Sequence, residues 1–262
     1  MITIIFGDPG SGKSGILTFI GNEAAFDRER NVAMRQEIRF RNANGFNLTV
    51  PRHAVSSNIE NMRFMKPFTY VRRPRIIDPS RLGIQKFAPE GFKCHYTLPY
   101  ETILIDEAQA YFYSKSKGLE KFQLDFFDKA RHNDLDIYMT TPSAMSIHKD
   151  IRRLARFWHI KGREVVYKRD GSVETRWKVN EFPGGETAVE DYSAGNLKFE
   201  TKVIKAPYNI FNLYNHKANR SMFVEGHLSE DFDLMYPDDS ELITLEDYKK
   251  HEAKFLGNSG NG

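Results

Sequence analysis

Eight consecutive residues near the start of the chain have the composition of a phosphate-binding loop. They run from Gly7 to Ser14 and follow the pattern G-x-x-x-x-G-K-[ST]. Glycines in such a loop let backbone N–H groups point at phosphate oxygens, and the N-terminus of the next helix attracts the same anion. Lys13 is expected to reach the β- and γ-phosphates, and the Ser14 hydroxyl to bind Mg²⁺. The residues predicted to bind ATP are Gly7, Asp8, Pro9, Gly10, Ser11, Gly12, Lys13, Ser14 and Gly15.

Two adjacent carboxylates supply the second half of a hydrolytic site. Asp106 and Glu107 follow the aliphatic run 103–105, which is typical of a buried parallel strand. A carboxylate at the end of such a strand can hold Mg²⁺, so Asp106 is predicted to be a metal ligand together with Ser14. Glu107 is predicted to be the general base that polarises the attacking water. The alternative is an acidic helix N-terminus without catalytic function.

Arginines further along the chain are candidates for a residue that acts on a neighbouring subunit. Arg131 and Arg152 are predicted to fill this role, with Arg153 and Arg156 close to the second. An arginine supplied in trans stabilises charge on the transferred phosphoryl group and raises turnover by ~10³–10⁵. The alternative for each arginine is a solvated or interfacial position.

The elements around these residues alternate between strands and helices. Predicted strands are 1–6, 53–59, 101–107 and 136–141, and predicted helices are 14–20, 22–41, 108–113, 119–130 and 147–158. This order indicates an α/β fold, a P-loop NTPase with a mainly parallel central sheet flanked by helices. Thr140 and Thr141 end a strand expected beside that of Asp106, where a hydroxyl can sense the γ-phosphate, although threonine is also a common strand residue.

A small β-hairpin elaboration is predicted after the core. The runs 164–169 and 173–179 alternate around Asp170-Gly171, a common hairpin turn. We therefore expect a P-loop core over residues 1–160 and a β-rich elaboration packed on it over 161–225. A C-terminal helix (240–255) and a flexible tail are expected within 226–262.

Composition sets broad limits on the class of protein. The 262 residues are 40% hydrophobic and 28% charged with a net charge of +3, as in ordinary soluble domains. The single Cys94 excludes an intramolecular disulfide and a multi-cysteine metal site. No apolar run is long enough for a signal peptide or a transmembrane helix. We expect a cytoplasmic protein.

Six segments in a fixed order resemble the zonula occludens toxin-like proteins, which are the assembly ATPases of filamentous phages. Besides the phosphate loop, the resemblance rests on residues 55–59, 103–109, 130–137, 151–154 and 210–218. It covers about residues 1–220.

The resemblance implies a virion-morphogenesis motor that couples ATP hydrolysis to extrusion or packaging of single-stranded DNA. A homo-oligomeric ring is expected, since a donated arginine needs a neighbour. Phage coat or assembly proteins and single-stranded DNA are the expected partners, and contact with the inner face of the host inner membrane is expected only through a partner. The alternatives are a DNA-packaging or helicase-like translocase, a slow nucleotide-dependent scaffold or switch, and a small-molecule kinase, which Glu107 disfavours.

Overall fold

One sheet runs through the described part of the chain, which in this computed structural model comprises residues 1–44, 50–59, 62, 64, 74–82, 99–114, 119–130, 132, 134–185 and 187–207. Its strands are β1 (Ile2–Phe6), β2 (Val55–Ser57), β3 (Arg75–Ile76), β4 (Thr102–Ile105), β5 (Asp136–Thr141), β6 (Arg156–Tyr167), β7 (Val173–Phe182) and β8 (Glu200–Ala206). The spatial order is β3-β2-β4-β5-β1-β6-β7-β8. The six strands from β3 to β6 in that order are parallel, whereas β7 and β8 are antiparallel to their neighbours.

Helices cover both faces of this sheet. They are α1 (Lys13–Ala25), α2 (Arg28–Ala43), α3 (Lys121–Lys129), α4 (Lys149–Leu154) and α5 (Ala188–Ser193), with short 3₁₀ turns at Pro79–Arg81, Ala108–Ala110 and Ala144–Ser146. Every residue of β1 and β4 is buried, as expected for parallel strands covered on both sides.

Successive residues of β1 point into different cores because side chains alternate along a strand. Ile4 packs in a cluster that includes Phe127 of α3 and Ile151 of α4. Ile5 packs on the opposite face in a cluster that includes Leu17 of α1. The predicted α/β architecture with a mainly parallel sheet is therefore confirmed.

The position of β5 determines where the predicted site residues meet. This strand lies between β1 and β4, with Thr141 beside Phe6 and Met139 beside Ile105. The carboxyl ends of these three strands consequently share one edge of the sheet, which we call the carboxyl edge. The phosphate loop, Asp106 and Thr140 all lie there.

The predicted helix 147–158 was wrong at its C-terminal end. Helix α4 ends at Leu154, Ala155 is extended (φ −94°, ψ 155°), and Arg156 begins β6. The apolar spacing that suggests a helix includes Trp158, which instead belongs to a strand paired with β1 from Thr3 to Phe6. Pairing with a central strand outweighs a local pattern carried by so few apolar residues.

Other boundaries also differ from the predictions. Helix α1 continues to Ala25, so residues 22–25 belong to it and α2 begins only at Arg28. The segment predicted as the helix 108–113 contains the 3₁₀ turn at 108–110. The predicted helix 240–255, the tail and the 210–218 segment lie outside the described residues.

The predicted hairpin is present and is longer than expected. It consists of β6 and β7, paired from Phe157–Phe182 to Tyr167–Val173, and β8 adds a third strand. Strand β6 passes through residue 160, the predicted boundary between core and elaboration, so the division into 1–160 and 161–225 stays a proposal. Among the described helices, none has the length and apolarity that crossing a membrane requires.

Candidate functional site

The phosphate loop connects the end of β1 to the start of α1. Gly10 (φ 80°) and Gly12 (φ 91°) both have left-handed backbone conformations, which glycine adopts without steric cost. Gly12 immediately precedes Lys13, the first residue of α1. The N-terminus of a 13-residue helix is thus presented at the carboxyl edge, where its free N–H groups favour an anion.

The Lys13 side chain is hydrogen-bonded to the backbone of its own loop. Its side chain is buried, and its ammonium group donates to the carbonyl oxygens of Gly7 at 2.8 Å and Asp8 at 3.1 Å. An ammonium group has three N–H donors, so this geometry commits two of them to the loop itself. The charge therefore lies against the backbone that is predicted to enclose the phosphates.

Ser14 and Asp106 are brought together from distant parts of the chain. The Ser14 hydroxyl donates to Asp106 Oδ2 at 2.9 Å. Burial raises the pKa of Asp106, an effect that hydrogen bonds from Thr140 and Ser14 oppose and the neighbouring Glu107 charge reinforces. A hydroxyl and a carboxylate at this separation are suitable oxygen ligands for Mg²⁺, which binds through one or two protein groups plus water and phosphate. The donor set fits the predicted metal.

Thr140 connects the two carboxylate residues. Its hydroxyl donates to Asp106 Oδ1 and accepts a hydrogen bond from the Glu107 N–H at 3.2 Å. The neighbouring Thr141 hydroxyl instead donates to the Ser143 carbonyl at 3.0 Å, in the turn after β5. Of the two threonines that the sequence singles out, only Thr140 therefore contacts the carboxylates.

Glu107 has the exposure that a base for water requires. It has a left-handed backbone (φ 52°), unusual for a residue with a side chain, and its carboxylate is exposed. Gln109 donates a hydrogen bond to Glu107 Oε2. This turn places Glu107 at the carboxyl edge, next to Asp106.

Asn58 lies in one of the segments (55–59) that carry the family resemblance, and it is part of the site although no chemical role was predicted for it. Its Oδ1 accepts from the Asp106 N–H at 2.8 Å, and its Nδ2 donates to the Asp106 carbonyl at 2.9 Å. Nδ2 also lies 3.3 Å from the Tyr111 hydroxyl. The sequence signal for this role is the position of an asparagine directly after a core strand. Because β2 neighbours β4 in the sheet, that position lies beside Asp106.

Of the two predicted arginines, Arg152 is within the described residues and does not lie beside this chain's own phosphate loop. Arg131 lies outside the described residues. Arg152 is 9% exposed, with Nη1 at 2.7 Å from Met145 Sδ and 3.7 Å from Glu190 Oε1. It lies in the last turn of α4, close to the amino edge of the sheet where β6 begins beside Thr3.

The β6–β7 strand pair contacts the phosphate loop, a contact that the sequence did not predict. A Cβ atom on Gly12 would lie 2.8 Å from Arg163 Cδ and 2.8 Å from Trp177 Nε1. A Cβ on Gly7 would lie 2.9 Å from the Ile160 carbonyl oxygen. The two glycines therefore allow the hairpin and the loop to approach each other closely.

A cavity of about 1080 Å³ opens at the amino edge, on the far side of the sheet from the loop. Its lining includes Ile2, Asp136 and Arg156, which begin β1, β5 and β6. The nucleotide chemistry predicted above belongs to the carboxyl edge, so this cavity is separate from it.

The chain is similar to one known protein family. The sequence profile of the family described as zonular occludens toxin (Zot) matches residues 1–220. No curated protein matches the chain.

Among solved structures, the chain resembles the N-terminal domain of zonular occludens toxin from Neisseria meningitidis. The identity is 17%, the match covers 82% of this chain and 98% of that chain, and the TM-score is 0.46. It also resembles the genome packaging NTPase B204 from Sulfolobus turreted icosahedral virus 2 in complex with ATP-gammaS. That identity is 13%, with 65% and 76% covered and a TM-score of 0.33.

Proposed function

We propose that this chain, which belongs to the zonular occludens toxin (Zot) family, is an ATPase that hydrolyses Mg-ATP at the phosphate loop to drive virus assembly. One observation carries the enzymatic part of the proposal. Ser14 of the loop, Asp106 after β4 and Thr140 on β5 form a continuous hydrogen-bonded chain at the carboxyl edge, with Glu107 beside it.

Each residue has a separate task in this mechanism. Lys13 and the N–H groups at the start of α1 neutralise the phosphates of the substrate. Ser14 and Asp106 hold Mg²⁺, which supplies charge stabilisation at the phosphate oxygens when bound. Thr140 fixes the Asp106 carboxylate and the Glu107 backbone relative to each other.

The exposed Glu107 carboxylate orients water and accepts its proton. The water oxygen forms a bond to the γ-phosphorus as the bond from that phosphorus to the β–γ bridging oxygen breaks. The products are ADP and inorganic phosphate. This step requires no acceptor hydroxyl other than water, which distinguishes the site from that of a kinase.

Two variants test the proposal when binding and hydrolysis are measured separately. Glu107→Gln is expected to bind Mg-ATP like the wild type and to release phosphate about 10²-fold more slowly or worse, because the base is lost. Lys13→Ala is expected to lose nucleotide binding. Glu23→Gln on the exposed surface of α1 makes the same charge change as Glu107→Gln and should leave both quantities unchanged.

The outcomes separate the competing functions. Hydrolysis at the wild-type rate in Glu107→Gln would refute the base assignment. Tight ATP binding with negligible turnover under all conditions would identify a nucleotide-dependent scaffold or switch. Strong stimulation by DNA that falls steeply with salt would indicate a DNA-packaging or helicase-like translocase.

We also propose a ring of identical subunits in which an arginine is donated in trans, with single-stranded DNA and phage coat or assembly proteins as partners. The burial of Arg152 against Met145 favours a packing role for it, so Arg131 is the preferred donor. Mixing Arg131→Ala with Lys13→Ala subunits tests this point. Each variant is inactive alone under the proposal, whereas mixed rings should regain hydrolysis because intact sites then neighbour intact arginines.

A further inference from the structure

Strand β6 continues far beyond the strand that carries the phosphate loop. Its pairing with β1 ends where His159 lies beside Phe6, and β6 then runs on to Tyr167. At about 3.3 Å per residue, Arg163 lies roughly 13 Å of strand beyond that point. The overhanging part of β6 therefore stands at the carboxyl edge, next to the loop.

An irregularity in this overhang determines which side chain meets the loop. The β6–β7 register shifts between Ile160 and Gly162. A bulge of this kind bends a strand and changes the direction of the following side chains. After the bulge Arg163 pairs with Trp177, and both side chains contact Gly12 at the start of α1.

The contact combines an arginine on the surface with a buried tryptophan. Trp177 is fully buried, packs in the same cluster as Leu17 of α1, and lies 6.1 Å from the Phe19 ring. Arg163 is exposed, and its Nη1 lies 3.5 Å from the position of a Cβ on Gly12. Both the stem and the guanidinium group of Arg163 therefore lie against the loop at Gly12.

A second observation indicates that a ligand belongs here. Trp177 Nε1 is buried, lies next to Gly12 and has no hydrogen-bond partner among the described residues. An indole N–H left unpaired in a protein interior is costly, so such groups normally have an acceptor. An anion bound by the loop would supply the missing acceptor at this position.

We propose that Arg163 is a second phosphate-binding cation, supplied in cis by the β6–β7 pair, and that Trp177 positions it. The inference rests on the proposed ATPase function and deepens it. Lys13 approaches the triphosphate from within the loop, and Arg163 approaches from the hairpin. An arginine suits this role because its planar group offers five N–H donors to phosphate oxygens.

Arg163→Gln, Arg163→Lys and the control Arg169→Gln test the assignment. Arg169 lies in the exposed turn between β6 and β7, so its substitution makes the same charge change away from the loop. Affinity is measured for Mg-ATP and, by competition, for inorganic tripolyphosphate, and each variant is unfolded in urea. Arg163→Gln is expected to weaken both ligands about tenfold or more, Arg163→Lys less, and Arg169→Gln neither.

The paired ligands distinguish a phosphate contact from packing. If Arg163 had only a packing role, its substitution would lower the urea midpoint, and Arg163→Gln and Arg163→Lys would lose the same amount of affinity for the two ligands. Unchanged binding of tripolyphosphate to Arg163→Gln overturns the inference but leaves the ATPase proposal intact. A wild-type protein that binds neither ligand refutes the ATPase proposal, and this inference with it.

Discussion

Asn58 holds Asp106 through both backbone polar groups of that residue, accepting from its N–H at 2.8 Å and donating to its carbonyl at 2.9 Å. The amide therefore imitates a strand partner at the point where β4 has ended. The direction of the Asp106 side chain depends on the backbone that this amide fixes.

Asn58→Ala should therefore impair hydrolysis as well as stability. Loss of two hydrogen bonds is expected to cost about 1–3 kcal/mol and to lower the turnover number, because Asp106 is no longer held. Asn31→Ala is the matched control, since the Asn31 amide likewise bonds two backbone groups, those of Ala25 and Ala54, in another part of the fold. Equal effects of both variants on turnover per folded molecule would argue against a role for Asn58 in the site.

The two threonines at the end of β5 allow a similar comparison. Thr140→Val removes the hydroxyl that serves Asp106 and Glu107, so phosphate release should fall at least tenfold while Thr140→Ser largely restores it. Thr141→Val removes a hydroxyl that serves the Ser143 carbonyl. It should lower the free energy of unfolding without this loss of rate. The prediction fails if the two valine variants have the same rate.

Gly12→Ala should destabilise the protein more than backbone strain alone explains. The new Cβ would meet the fully buried Trp177 at 2.8 Å, which cannot move aside. We expect a loss of about 2–4 kcal/mol from strain plus overpacking. Gly171→Ala has a similar φ of 80° with no atom within 4 Å, so it should cost only about 1 kcal/mol. Urea unfolding of both variants measures the difference. Equal losses of unfolding free energy would show that the β6–β7 pair moves to accommodate the new methyl group.

His159 should make stability depend on pH in a limited window. Burial, with a smaller contribution from Lys161, lowers the pKa of His159 from its ordinary value of 6.5. The unfolded chain then binds a proton more readily than the folded one, so the contribution to stability is complete above pH 6.5 and declines as pH falls toward the lowered folded pKa. Unfolding midpoints of the wild type and His159→Gln, measured from pH 8 to 5, should diverge in this window. Parallel curves would contradict the prediction.

Residues whose chemistry depends on local spacing were predictable from the sequence. The loop from Gly7 to Ser14 and the Asp106-Glu107 pair are each contiguous, and the succession of strands and helices along the chain follows from the apolar runs. Parallel strands must place their carboxyl ends at one edge, which brings Thr140 to Asp106.

Features that depend on contacts between distant segments were not predictable in this way. The role of Asn58 requires knowing that β2 neighbours β4, and the start of β6 at Arg156 requires knowing that this segment pairs with β1. The contact of Arg163 and Trp177 with Gly12 depends in addition on a register shift of one residue. Neither periodicity nor composition carries information of this kind.

The length of β6 gives the hairpin the properties of a lever arm. One end is fixed by pairing with β1, the fulcrum lies where Arg163 touches the loop, and the free end carries Tyr167, which is 77% exposed. From Arg163 to Tyr167 the arm is about 13 Å long, so a rotation of about 5° about the contact with the loop would displace its tip by about 1 Å. A small rearrangement of the loop around a phosphate would thereby be transmitted to Tyr167 at the molecular surface.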